Sequence, residues 1–239
     1  MIRISLFFTA ALLILFAGDR LESGMAQEIY YYEAVPEGDR DGGRKEFIKM
    51  EFISRNDGLE YIAEIKSDKG IENIKIKMER GAGFVSGTRE VLDLSDRQVS
   101  SEKIWRDEDS AYLQRNPVKG KTSKIIKYNL YNDRMLAVDG SLLALFRYFK
   151  FEYRNTQDIF MIDFSGTSVS VTVRQAGIEN IAVPPGAFEC YRIEVIVNIP
   201  LIRPKIIYWV TKDEPHFMVK HKGKRGPFTT SYATYLVKP

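Results

Sequence analysis

Two histidines, one cysteine and a few paired carboxylates are the residues of this 239-residue chain whose types could carry chemistry. His216 and His221 stand five positions apart. On a strand, odd spacing sends side chains to opposite faces, so the pair cannot hold one metal ion unless a bulge intervenes. Asp213 and Glu214 are close by in sequence, but Asp213-Glu214-Pro215 reads as a turn. Cys190 has no histidine at a nucleophile-base spacing. It shares a strand face with Arg192, and a neighbouring cation lowers a thiol pKa, yet the expected role is a small packed residue. Asp107 and Asp109 lie in the charged turn Arg106-Asp107-Glu108-Asp109 and read as solvated loop residues rather than glycosidase acids. The chain has no Gly-x-Ser-x-Gly, no phosphate-binding glycine loop and no His-Glu-x-x-His. These readings predict a protein with no catalytic residues, no metal and no cofactor.

Binding chemistry is better represented. Lys220, Lys222, Lys224 and Arg225 form the densest basic cluster, within Lys220-His221-Lys222-Gly223-Lys224-Arg225-Gly226. It could touch an anionic membrane or lipopolysaccharide phosphates, at about 1 kcal/mol per basic residue near such a surface; the alternative is a solvated hairpin tip. Aromatic residues make up 12% of the chain, concentrated in Tyr30-Tyr31-Tyr32, Phe146–Tyr153, Tyr208-Trp209 and Phe217. Neighbours on a strand face opposite sides, so at least one of Tyr208 and Trp209 lies off the main core. Together with Phe217, Phe146 and Phe149 they are the candidate lining of an apolar ligand site, or else plain core. The net charge of +3 is too mild to predict nucleic-acid binding.

These residues must be positioned by strands. Ile74, Ile76 and Met78 alternate with Asn73, Lys75 and Lys77. Val169, Val171 and Val173 alternate with polar residues, as do Tyr191, Ile193, Val195 and Val197. A period of two with one wet face favours antiparallel sheet. Asn56-Asp57-Gly58 and Ser165-Gly166 read as hairpin turns, and Pro185-Gly186 suits the two central positions of a type II turn. Leu142, Leu145, Phe146 and Phe149 instead follow helical spacing, predicting one short helix over residues 140–150, capped by Asp139 or Ser141 and laid over one opening or face of the sheet. The segment from Glu37 to Lys45 reads as a surface loop. The expected fold is mainly β: a curved antiparallel sheet or incomplete barrel of roughly eleven or twelve strands, forming a single domain over 27–239.

Residues 1–26 read as a signal peptide. Arg3 precedes an apolar run from Ile4 to Ala17, which at 1.5 Å per residue reaches about 21 Å, short of a membrane span. Gly24 and Ala26 put small residues at positions −3 and −1 of a cut before Gln27. An uncleaved N-terminal anchor is the alternative, and a buried core helix a third reading. Export to the periplasm or cell envelope follows. No cysteine lies near residues 17–27 to carry a lipid anchor, and a lone Cys190 cannot form an intramolecular disulfide.

Two stretches of the second half carry a resemblance. Val183-Pro184-Pro185-Gly186-Ala187-Phe188-Glu189-Cys190-Tyr191-Arg192-Ile193-Glu194 is followed by Ile207-Tyr208-Trp209-Val210-Thr211-Lys212-Asp213-Glu214-Pro215-His216-Phe217-Met218-Val219-Lys220. The pattern resembles the exported bacterial family catalogued as domain of unknown function 3108, over roughly residues 138–237. The resemblance implies a β-rich envelope protein with no established reaction to carry over. Its partner is expected to be an apolar or lipid-like ligand or another envelope protein. A purely structural or assembly module with a filled core is the alternative, and a hydrolase using scattered carboxylates a lesser one.

Overall fold

The computed structural model describes residues 25–37, 45–80, 83–117, 122–130, 135–138, 140–151, 156–201, 203–224 and 231–239. Most of residues 1–26, most of the 37–45 loop, Asp139 and Arg225 lie outside that set. Among the described residues the chain forms fifteen strands and one helix. The first eight strands are β1 (Ala26–Pro36), β2 (Glu46–Ser54), β3 (Gly58–Ser67), β4 (Gly70–Glu79), β5 (Gly83–Leu92), β6 (Gln98–Asp107), β7 (Ser110–Pro117) and β8 (Lys124–Asn129). Then come β9 (Met135–Val138), α1 (Ser141–Phe146), β10 (Thr156–Ile162), β11 (Ser168–Val183), β12 (Gly186–Val197), β13 (Lys205–Thr211), β14 (Met218–Lys224) and β15 (Ser231–Lys238).

All fifteen strands belong to one sheet, in the order β8-β7-β6-β5-β4-β3-β2-β1-β15-β14-β13-β12-β11-β10-β9. Two meandering wings therefore meet where β1 pairs with β15, and the sheet is not closed, because β8 and β9 are its two edges. The strand count exceeds the expected eleven or twelve. Edge strands of six and four residues, β8 and β9, are too short to show a readable alternation. The pairing is antiparallel except for β9 with β10, which run parallel. A parallel pair needs a crossover rather than a tight turn, and the segment containing α1 supplies it.

The two-residue period is obeyed at the positions that predicted it. Ile74, Ile76 and Met78 are buried, as are Val171, Val173, Ile193 and Val195, while Val169, Tyr191 and Val197 are half-buried against the same core. Asn56 and Asp57 cap a β2–β3 hairpin closed by the Arg55 N–H to Gly58 carbonyl bond of 2.9 Å. Gly58 is needed there because a Cβ would meet the Met78 carbonyl oxygen at 1.9 Å. The Ser165-Gly166 turn links β10 to β11, with the Gly166 N–H on the Asp163 carbonyl at 3.0 Å. The proline turn sits one residue earlier than expected. Val183 pairs with Gly186, so Pro184 and Pro185 are the central residues and Gly186, at φ 148°, opens β12.

The helix is shorter than expected and more deeply placed. All six residues of α1 are buried. It packs against β9 and β3, while β9 lies against β5. The β9–α1 segment thus fills the inner face of the first wing rather than covering an opening. Ser141 does not cap the helix; Gly140 at φ 81° holds the N-cap position, and Ser141 Oγ accepts the Val138 N–H at 2.7 Å, tying helix to strand. One large apolar core draws on both wings. On the far side the wings touch without strand pairing. The Tyr128 hydroxyl donates to the Gly166 carbonyl at 2.8 Å, and Arg115 donates to the Ser165 carbonyl at 3.1 Å.

Candidate functional site

At one end of the sheet, polar residues gather on the rim of the core. On β1 the inward positions are Tyr30, Tyr32 and Ala34, all buried. The same parity carries Glu28 to the rim, where the strand leaves the core. Arg147 arrives from the other side, in the turn after α1, whose N–H bonds fall back onto Ala144 and Leu145. Its side chain is 7% exposed, and Nη2 lies 2.8 Å from Glu28 Oε2. The same carboxylate oxygen accepts the Tyr30 hydroxyl at 2.6 Å. The guanidinium carbon is 3.9 Å from the centre of the Phe52 ring, a cation–π contact strengthened by desolvation. Arg147 Nε is buried with no hydrogen-bond partner among the described residues. Burial first, and then Glu28, push the Tyr30 hydroxyl far above its ordinary pKa, so it stays a donor.

This cluster borders a cleft of about 450 Å³ lined by, among others, Glu28, Arg80, Arg147, Tyr148, Glu214 and His216. Glu214 and His216 come from the link between β13 and β14, where His216 Nδ1 is 2.9 Å from the Thr211 carbonyl oxygen. Burial raises the Tyr148 hydroxyl pKa against the pull of Arg80 and Arg147. A second groove of about 390 Å³ runs over β3, β4 and β5. There Arg55 pairs with Glu60 at 3.1 Å, Lys75 pairs with the same carboxylate, and Lys77 lies 3.9 Å from Asp57, so its cations are satisfied within the groove.

The aromatic residues singled out from the sequence fall into two groups. Phe146, Phe149 and Tyr208 come together inside the sheet, with ring centres 6.4 Å apart for Phe146–Phe149 and 5.3 Å for Phe146–Tyr208. Phe217 lies apart from that trio; it stacks on Tyr30 at 4.9 Å and meets Phe188 edge-on. Trp209 is on the opposite face, in a small cluster with Cys190 and Val219. Its indole N–H donates to Glu179 at 2.8 Å, which continues through Arg192 to the buried Glu194, itself held by Arg174 and Lys205.

The basic residues are already engaged where they are described. Lys220 lies over the Trp209 ring at 4.9 Å and the Tyr235 ring at 5.3 Å. Lys222 pairs with Glu37 at 2.9 Å, a carboxylate that also accepts the Ser231 hydroxyl. Lys224 ends β14, and Arg225 lies outside the described residues.

The histidines depart from the simple parity argument. The β13–β14 register shifts between Trp209 and Val210, leaving Val219 and Lys220 on one face. Both rings consequently sit against aromatics of the main core, His216 beside Phe151 and Tyr191 and His221 beside Tyr208. No group of three potential metal ligands occurs among the described residues. Cys190 is fully buried, and burial, with Glu179 and Glu189 adding to it, pushes its thiol up to about 12. Arg192, considered from the sequence as a lowering influence, instead pairs with Glu179 and Glu194 and is not among the groups that shift the thiol.

Sequence reasoning missed Arg147 and Glu28. Glu28 was detectable, since it shares parity with Tyr30 and Tyr32. Arg147 was not, because one residue past an apolar helical stripe a charged side chain reads as solvent-facing.

No family model matches this chain, and no curated protein does. Among solved structures, a crystal structure of a protein from Parabacteroides distasonis ATCC 8503, provisionally labelled a lipoprotein, aligns with it at 11% identity and a TM-score of 0.33, over 90% of this chain and 94% of the other.

Proposed function

We propose that this chain is an exported, non-catalytic protein of the cell envelope that acts as a structural or assembly module. The observation that carries the choice of module over carrier is α1, whose six residues are all buried against the sheet. With Phe146 in contact with Phe149, Phe151 and Tyr208, the interior is occupied by the protein's own side chains. A carrier would need that helix to leave. In this reading residues 1–26 are a cleaved signal, the chain is a member of the family that the 183–194 and 207–220 stretches resemble, and the partner is another envelope protein. The Lys220–Arg225 segment would add weak contact with an anionic surface.

The test pairs two measurements. Envelope fractionation with mass spectrometry should find a mature N-terminus near Gln27. Titration of the folded protein with an apolar probe dye should show no saturable uptake. A full-length cytoplasmic chain would remove the export reading; stoichiometric dye binding would restore the carrier.

A further inference from the structure

The cleft beside Arg147 has features that the module reading does not use. Its lining cations are Arg55, Arg80 and Arg147, and its carboxylates are Glu28 and Glu214. Arg55 is engaged by Glu60, and Arg147 by Glu28. Arg147 is nonetheless under-satisfied. Among the described residues both of its hydrogen-bonding contacts use Nη2, the Glu28 oxygen is shared with Tyr30, and the buried Nε has no partner. A guanidinium carries five N–H donors; the sealed Nε stays unpaired at a cost, and Nη1, which makes neither of those contacts, is the group left for an acceptor from the cleft. Arg80 is exposed and has no carboxylate partner among the described residues. Arg80 and Arg147 both act on the Tyr148 hydroxyl, which remains protonated and able to donate.

We propose that this cleft binds an oxyanion of the phosphate type, held by Arg80 and Arg147 with the Tyr148 hydroxyl as a third donor. Planar guanidinium groups match the oxygens of such an anion in a two-point geometry that a lysine cannot offer. A space of about 450 Å³ exceeds the anion itself and suits a phosphate carried on a larger body, such as a lipid headgroup or a small metabolite. Glu214 lines the same cleft and opposes the anion, so its charge lowers the affinity. The inference stands apart from the assembly reading, since it requires neither export nor a filled interior.

The probe is inorganic phosphate, titrated calorimetrically into the full chain at low ionic strength and neutral pH. Wild type should bind one equivalent saturably, with an equal ionic strength of chloride failing to compete. Arg80→Ala, at an exposed position that leaves the fold intact, should weaken binding about tenfold, the scale of one lost charge-assisted contact. Glu214→Gln should strengthen it severalfold. Arg147→Lys keeps the charge but withdraws the Nη1 donor, and should weaken binding with the melting temperature held within a few degrees. Pelleting with phosphatidylglycerol vesicles, against phosphatidylcholine controls, separates the two sources. Co-sedimentation lost in Arg80→Ala identifies a headgroup, and phosphate binding without co-sedimentation identifies a soluble ligand. Absence of saturable phosphate binding by wild type, or equal affinities for wild type, Arg80→Ala and Glu214→Gln, overturns the proposal.

Discussion

Truncating Phe146 to alanine tests how the sheet interior is filled. The ring is 1% exposed and has three aromatic neighbours at 5.3 to 6.4 Å. It is the last residue of a helix buried on every side, so surrounding groups cannot collapse inward without moving α1 off β3 and β9. Removing a phenyl group from such a site costs about 3–5 kcal/mol, the transfer free energy plus the cavity left behind. The upper half of that range is expected, because each edge-on ring contact adds about 0.5–1.5 kcal/mol beyond its area. With a urea slope of about 3 kcal/mol/M, the midpoint should fall by about 1.3 to 1.7 M. Tryptophan fluorescence can follow the transition, since Trp105 and Trp209 lie on different wings of the sheet. Coincident transitions at both would also establish that the wings unfold together. A loss below about 1 kcal/mol, accompanied by uptake of an apolar dye in the mutant and in wild type, would refute the reasoning: the ring would then border a space rather than fill one.

Three further outcomes follow from particular residues. Gly186→Val should cost about 1–3 kcal/mol from its positive φ; because a Cβ at this position would meet no atom within 4 Å, Gly186→Ala should lose nearly as much, and an unaffected denaturation midpoint in both would show the strain to be absent. Cys190, buried and with its thiol pushed up to about 12, should resist a thiol reagent at pH 8 in the native state and react at once in denaturant; rapid native labelling would contradict its placement. Burial works to raise the Glu194 carboxyl, but hydrogen bonds from Arg174 and Lys205 outweigh it and hold the pKa below its ordinary range. A depressed carboxyl stabilises the fold above its unfolded pKa of about 4.3 and loses that contribution as pH falls through the lower folded value. Glu194→Gln should therefore be less stable than wild type at pH 7 and lose less stability on acidification; parallel pH profiles would argue against the network.

The sheet was legible because its inward positions are simple. Ile74-x-Ile76-x-Met78 and Ile193-x-Val195 announce one wet and one dry face, and glycines mark two of the hairpins. What the sequence concealed has physical causes. Val219 and Lys220 share a face because a bulge inserts an extra residue, which no alternation rule registers. The four residues of β9 are apolar on every side, since strand and helix α1 lie together in the interior, so the period switches from two to 3.6 without a readable border. The proline turn falls one residue from its expected place because proline is disfavoured at the second central position of the common turns, so turn chemistry points to Pro185-Gly186 although the chain places Pro184-Pro185 there. The cleft around Arg147 was invisible because its members, Glu28, Arg80, Arg147 and Glu214, come from four separate parts of the chain.

The pairing of β1 with β15 also dictates an order of events during synthesis. Each wing is a succession of neighbours joined by short links, so most of its contacts are local and can form as the chain lengthens. The seam between the wings is different: β1 waits for β15, which is synthesised after every other strand of the sheet. Until then β1 carries an unsatisfied row of N–H and C=O groups at the middle of the future sheet, a template for pairing with a wrong chain. A nascent or C-terminally truncated molecule lacking Ser231–Lys238 therefore presents two open wings with sticky inner margins. Such fragments should be the aggregation-prone species of this protein, and a clean product depends on keeping the early wing from finding another copy before its own last strand arrives.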